Sequence, residues 1–140
     1  MESPPLEASV KEKFDMLFGL LKDYFNQMVD NSFRHATVEV LILGWLITSE
    51  SARNFFQNNH MVSWFACSVT LLYATFHSTW IWKNYLRSRI AYMQLRELGY
   101  MPSEYFGPRR IPLLMPISFI VVHLGVAILI SSIIVSSIIK

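Results

Sequence analysis

The sequence predicts an all-α integral membrane protein, with an amphipathic N-terminal helix followed by three transmembrane helices, or two if the first apolar block fails to cross. Three observations predict it. Apolar residues make up 53% of the 140 residues, above the share usual in soluble domains. They gather in blocks, Thr37 to Ile47, Met61 to Trp82 and Ile111 to Ile139, while the charges collect between the blocks, as expected when apolar segments face lipid rather than a compact core. Ahead of the blocks, apolar residues recur at helical three-four spacing.

Residues 1–8 carry Pro4 and Pro5 and read as a disordered start, with no basic, apolar and small-residue sequence of a secretory signal. Ser9 followed three residues later by Glu12 is a capping box, the hydroxyl accepting from the Glu12 amide and the carboxylate reaching back. The cytoplasmic amphipathic helix expected over 9–31 places Phe14, Leu17, Phe18, Leu21, Tyr24, Phe25 and Met28 on one stripe. Its polar face mixes acids and bases rather than being Lys-rich, which favours packing on another helix over lying on a lipid surface.

The block within 33–56 has an uninterrupted apolar core near a dozen residues, about 18 Å of helix against about 30 Å of hydrocarbon, and Glu39 lies inside it. It is expected to be a first transmembrane or a re-entrant helix. Met61 to Trp82 carries no charge over about 33 Å of helix, with tryptophans available as interface anchors. This second span is expected to continue as a cytoplasmic extension to residue 98, where Gly99 suits a left-handed C-cap and Pro102 opposes continuation. Residues 99–110 form a cytoplasmic loop, and 111–139 a third span in which Pro112 suits a helix start and Pro116 a kink or the true beginning. Only Lys140 follows, so no further folded unit is expected there.

Lys83, Arg87, Arg89, Arg96, Arg109 and Arg110 fall between the second and third blocks, against Arg53 alone between the first and second. The positive-inside rule therefore puts 83–110 and the N-terminus in the cytoplasm and the C-terminus on the opposite side, in a membrane of the bacterial inner type. A net charge of +2 is too small to argue for nucleic acid as a partner. The single cysteine, Cys67, excludes an intramolecular disulfide.

Glu39 is the residue to explain, because an ionisable side chain within a span is costly and usually has a reason. It lies near the depth of His77, so the two form a candidate intramembrane polar site. Counted from the ends of their blocks, His77 and His123 differ in depth by about 10 Å, too far to share one haem. Gly125, Ser132 and Ser136 stand seven and four apart and form a candidate helix-contact face, since small residues let helices approach closely. Lys83, Arg87, Arg109 and Arg110 are candidate contacts for anionic lipid headgroups. No glycine-rich phosphate loop, nucleophile elbow, zinc spacing or paired-carboxylate arrangement appears, so no catalytic residue, cofactor or metal is assigned and an enzyme is not expected. The expected function is that of a small non-enzymatic accessory or scaffold subunit, partnered by the bilayer and by copies of itself or a larger membrane complex. The alternative is an oligomeric pore, small-ion channel or small transporter, and a membrane enzyme is the weaker one. Glu39 separates the first two: lining a water-filled axis it favours a pore, sealed away it favours an accessory role.

Overall fold

In a computed structural model, residues 9–99 and 113–139 are described. They form four helices, α1 (Val10–Thr48), α2 (Glu50–Asn58), α3 (His60–Glu97) and α4 (Leu114–Ile139). Residues 1–8, most of the expected 99–110 loop with Arg109 and Arg110, and Pro112 lie outside the described residues.

Helix α1 starts on the capping box: Ser9 Oγ accepts from the Glu12 amide at 3.2 Å and the Ser9 amide donates to Glu12 Oε2 at 2.6 Å. The helix then runs unbroken through Asn31–Phe33, where the sequence reading separated an amphipathic arm from a span. Neither glycine nor proline stands at that junction, so nothing there interrupts the hydrogen-bond ladder. The break comes instead at Ser49, whose extended backbone (φ −94, ψ 106) makes it the N-cap of α2 while its own amide still donates to Trp45 O. Arg53 reaches back from α2 and donates to the carbonyls of Leu46 and Ile47, two of the acceptors that a helix end leaves without partners. At the other end of α2, Ser63 Oγ donates to Phe56 O at 2.7 Å. Side chains thus fasten both ends of this short helix, which folds over α4.

Helix α3 ends at Gly99, in the left-handed region at φ 76, where the missing Cβ removes the steric penalty. Helix α4 begins at Leu114. Pro116 therefore sits in its first turn, where the absent N–H would have had no helical partner anyway.

The three long helices pack pairwise on one another, with α3 antiparallel to the other two. Met28, Ile81, Tyr85 and Tyr92 form one apolar cluster, joined by Met115 and Phe119; Leu46, Ala52, Cys67, Ile130 and Ile134 form the other. The buried positions of α3 follow an alternating three-four count over most of its length: Ser63, Cys67, Ala74, His77, Ile81, Asn84, Ser88, Ala91 and Leu95. Met28, Ser32, Glu39 and Leu46 on α1, and His123, Ala127, Ile130 and Ile134 on α4, keep the same phase. This is a heptad seam, but one built largely of small and polar residues.

Among the described residues one helix, α4, is long and apolar enough to cross a membrane, and only 22% of its most apolar stretch is buried. The second span expected at 61–82 does not meet that criterion, because its serines, threonines, His77 and ring residues with polar atoms lower the mean hydropathy; the first block is short and holds Glu39. Large apolar side chains nonetheless point outward from all three long helices, including Leu41 (68% exposed), Leu72 (70%) and Val121 (62%).

Ile81→Ala empties a fully buried seam position and is expected to lower unfolding stability by about 2–5 kcal/mol, whereas Leu72→Ala on the outer face should change it by about 0.5 kcal/mol or less. Chemical unfolding followed by far-UV circular dichroism checks the contrast; equal losses would contradict the assignment of the seam.

Candidate functional site

Between the two apolar clusters the seam turns polar. Glu39 on α1 and His123 on α4 are 6% and 1% exposed, and His123 Nδ1 lies 2.8 Å from Glu39 Oε2. The distance is that of a charge-assisted hydrogen bond. Each helix brings its residue inward by the heptad count: Glu39 stands seven residues after Ser32 and seven before Leu46, and His123 seven after Pro116 and seven before Ile130.

His77 of α3 completes the cluster. Its ring meets that of His123 edge to face, with centroids 4.5 Å apart, and that of His35 at 4.1 Å. His35 in turn is hydrogen-bonded to the Tyr73 hydroxyl. Two hydrogen-bonded pairs, Glu39 with His123 and Tyr73 with His35, are thus joined through the imidazole of His77. Its Nε2 is buried with no hydrogen-bond partner, an arrangement that costs free energy inside a protein. Tyr73 and Trp80 flank His77 on α3 with their rings nearly parallel to it, at interplanar angles of 6° and 13°.

The structure therefore gives Glu39 a different partner from the one the sequence suggested: its carboxylate bonds His123, and His77 is reached through His123. The expected 10 Å mismatch between His77 and His123 is also corrected, since their rings touch. Counting depth from Trp82 and Ile111 takes those two positions as level; the turns that do lie level are a few residues further along the sequence, at Tyr85 and Met115. Met115 packs in the same cluster as Tyr85, and the steps from Met115 to His123 and from Tyr85 to His77 are both eight residues.

The other expected positions are dispersed. Gly125 is half-buried, while Ser132 and Ser136 are exposed and line a shallow groove with Leu71, Ile128 and Val135. The small residues that face inward on α4 are Ala127 and Ser131, and Cys67 Sγ approaches Ser131 O at 3.7 Å. The proposed contact face is therefore not the one this chain uses internally. Lys83 and Arg87 are exposed, and the Arg87 guanidinium lies 5.9 Å from the Tyr24 ring centroid, a cation–π contact between the lower arms of α1 and α3. Sequence reasoning did not place Tyr73 and His35 in the site. His35 falls in the three-four phase of α1, three residues after Ser32 and four before Glu39, whereas Tyr73 stands one residue off the buried phase of α3 and is located by its place one turn before His77.

Among the described residues no group of three or more His, Cys, Asp or Glu side chains is arranged to hold a metal ion. No protein-family model, no curated protein and no solved structure matches this chain.

Glu39→Leu leaves a buried imidazole without its partner and is expected to cost about 3–5 kcal/mol. The Glu39→Leu/His123→Leu double variant should recover a large part of that loss. A double-mutant cycle on unfolding free energies checks this, with additive losses as the contradicting result.

Proposed function

We propose that this chain is a three-span membrane protein whose bundle serves as a non-catalytic accessory or scaffold subunit of a larger membrane assembly. The observation that carries the reading is the inversion of polarity across the bundle. Along the seam stand Ser63, Cys67, Ala74, His77, Asn84 and Ser88 on α3 and Glu39 on α1. Around the outside at the same levels stand Leu41, Trp45, Phe65, Leu72, Phe76, Val121 and Leu129, all exposed. A soluble monomer rarely leaves so large a contiguous apolar surface uncovered. A bilayer supplies the cover, and in a bilayer small residues at helix contacts and polar residues as interhelical links are what packing uses.

The same inversion accounts for part of why α1 and α3 fall short as isolated spans: Glu39, Ser63, His77 and Ser78 lie on the shielded face, while the exposed Ser68, Thr75 and Thr79 hydroxyls donate to carbonyls of their own helix. It also bears on the pore alternative. Glu39 is enclosed by its own bundle and bonded to His123, so it supplies no polar wall to an axis shared among copies, and an accessory role is favoured. Homo-oligomerisation through the exposed Ser132 and Ser136 groove of α4 remains compatible with that role, with small residues allowing close approach.

The mass of the detergent-solubilised protein, purified from its host at low expression and corrected for bound detergent, tests the function. A mass accounted for by other co-purifying chains is expected. A ring-sized mass of this chain alone, with conductance altered by Glu39→Gln, would establish the pore instead.

A further inference from the structure

A cleft between α1 and α3 opens beside the polar cluster, lined by Asn31, His35, Tyr73, Phe76, His77 and Trp80, with a volume of about 300 Å³. That volume falls at the lower end of the range for small-molecule sites. Its lining holds imidazole, phenol and carboxamide groups but no Lys, Arg, Asp or Glu, so a charged headgroup would find no counter-charge there. Three of its rings, Tyr73, His77 and Trp80, stack along α3 with centroids 6.3 and 5.7 Å apart, which gives one wall of the cleft an aromatic surface for a flat guest to pack against. Phe76 at the mouth is 73% exposed and belongs to the outer apolar surface, so the cleft opens toward the medium that covers that surface. At its back lies the 95% buried His77 ring, 5% exposed, with its Nε2 unpartnered; a half-turn about χ2 exchanges the nitrogen and carbon positions of an imidazole edge and can turn a nitrogen toward a guest.

From these features we infer that the cleft binds a neutral, planar, lipid-borne ring bearing carbonyl acceptors, the chemistry of a quinone headgroup, with its apolar tail in the bilayer. His77 and the rim residues His35 and Asn31 supply hydrogen-bond donors to the ring carbonyls, and Tyr73, Phe76 and Trp80 supply the apolar and stacking contacts. Glu39 acts at one remove as a positioning residue: it holds His123, whose ring abuts that of His77. The inference rests on the membrane reading, since the guest arrives through lipid.

The test uses the full chain in nanodiscs of synthetic phosphatidylcholine. Trp45, Trp64 and Trp82 are replaced by Phe so that Trp80 alone reports, and a decyl-substituted dimethoxy-methyl-benzoquinone is titrated in. Saturable quenching of Trp80 is expected, together with a half-saturation at least about tenfold higher in His77→Leu and in the rim variants His35→Leu and Asn31→Leu, a change equivalent to about 1.4 kcal/mol. The rim variants serve if His77→Leu loses helicity by circular dichroism. A decyl-substituted dimethoxytoluene, which lacks the carbonyls, should fail to displace the quinone. Quenching that rises without saturation with the quinone content of the disc, or saturation unchanged in all three variants, would overturn the site while leaving the membrane reading intact. A chain that stays soluble and does not enter nanodiscs would overturn both.

Discussion

The hydrogen bond between the Glu39 carboxylate and the His123 imidazole is the constraint on which the rest of the bundle depends. The large apolar side chains of the seam gather in two clusters, and between them alanines and serines pack nearly as well one turn up or down. A buried carboxylate and a buried imidazole do not have that freedom. Sliding α4 past α1 by a turn would leave both without a partner in a low-dielectric interior, where an unpaired ionisable group is far costlier than an unpaired hydroxyl. The pair lies between the two apolar clusters and so fixes the register of both. It also holds His123 against His77, which sets the back wall of the cleft between α1 and α3.

The distribution of polarity follows from the same logic. In water a helix bundle keeps its largest apolar residues inside; here Leu41, Leu72 and Val121 lie outside while Ser32, Ser63, Ser88 and Asn84 lie inside. Many of these buried groups are satisfied locally. Ser88 Oγ donates to the Asn84 carbonyl at 2.7 Å and Asn84 Nδ2 to the Trp80 carbonyl at 2.9 Å, so each helix answers its own polar side chains and presents a nearly neutral contact surface. The exceptions, His77 Nε2 and the hydroxyls of Ser32, Ser78 and Ser131, are where the interior keeps unused hydrogen-bonding capacity. Among the described residues, only at His77 does that capacity meet a cleft bordered by other donors and aromatic rings.

Much of the helical frame was legible in the sequence, because its signals are local. The capping box at Ser9 and Glu12, the long helix from His60 to Glu97 and the left-handed Gly99 each follow from a few neighbouring residues. The junction at 31–33 misled for a related reason: the change from amphipathic to apolar composition marks a change of surroundings, and the backbone carries on through it. The site was less legible. An apolar-periodicity reading looks for large hydrophobic residues on the buried face, and α3 buries its small and polar ones, so its seven-residue recurrence from Cys67 through Ala74, Ile81 and Ser88 to Leu95 stays hidden until the packing is seen. Small-residue spacing on α4 does not distinguish an internal contact from an external one: Ser131 faces inward, and Ser132, one residue or about 100° further around the helix, faces out with Ser136. Glu39 stood out by charge alone, yet its partner depended on the relative height of α3 and α4, which the ends of apolar runs do not define.

The central claim is that lipid covers the outer surface at the level of the polar cluster. Nitroxides placed singly at Leu41, Leu72 and Val121 in a Cys67→Ala background, in bilayers, test it through their collision rates with molecular oxygen, which concentrates in lipid, and with a water-soluble nickel chelate, which does not enter it. The account predicts high oxygen and low nickel accessibility at all three positions, one on each long helix. High nickel accessibility at Leu41 and Leu72, with oxygen dominant only at Val121, would mean that α4 alone meets the bilayer and would contradict the three-span bundle.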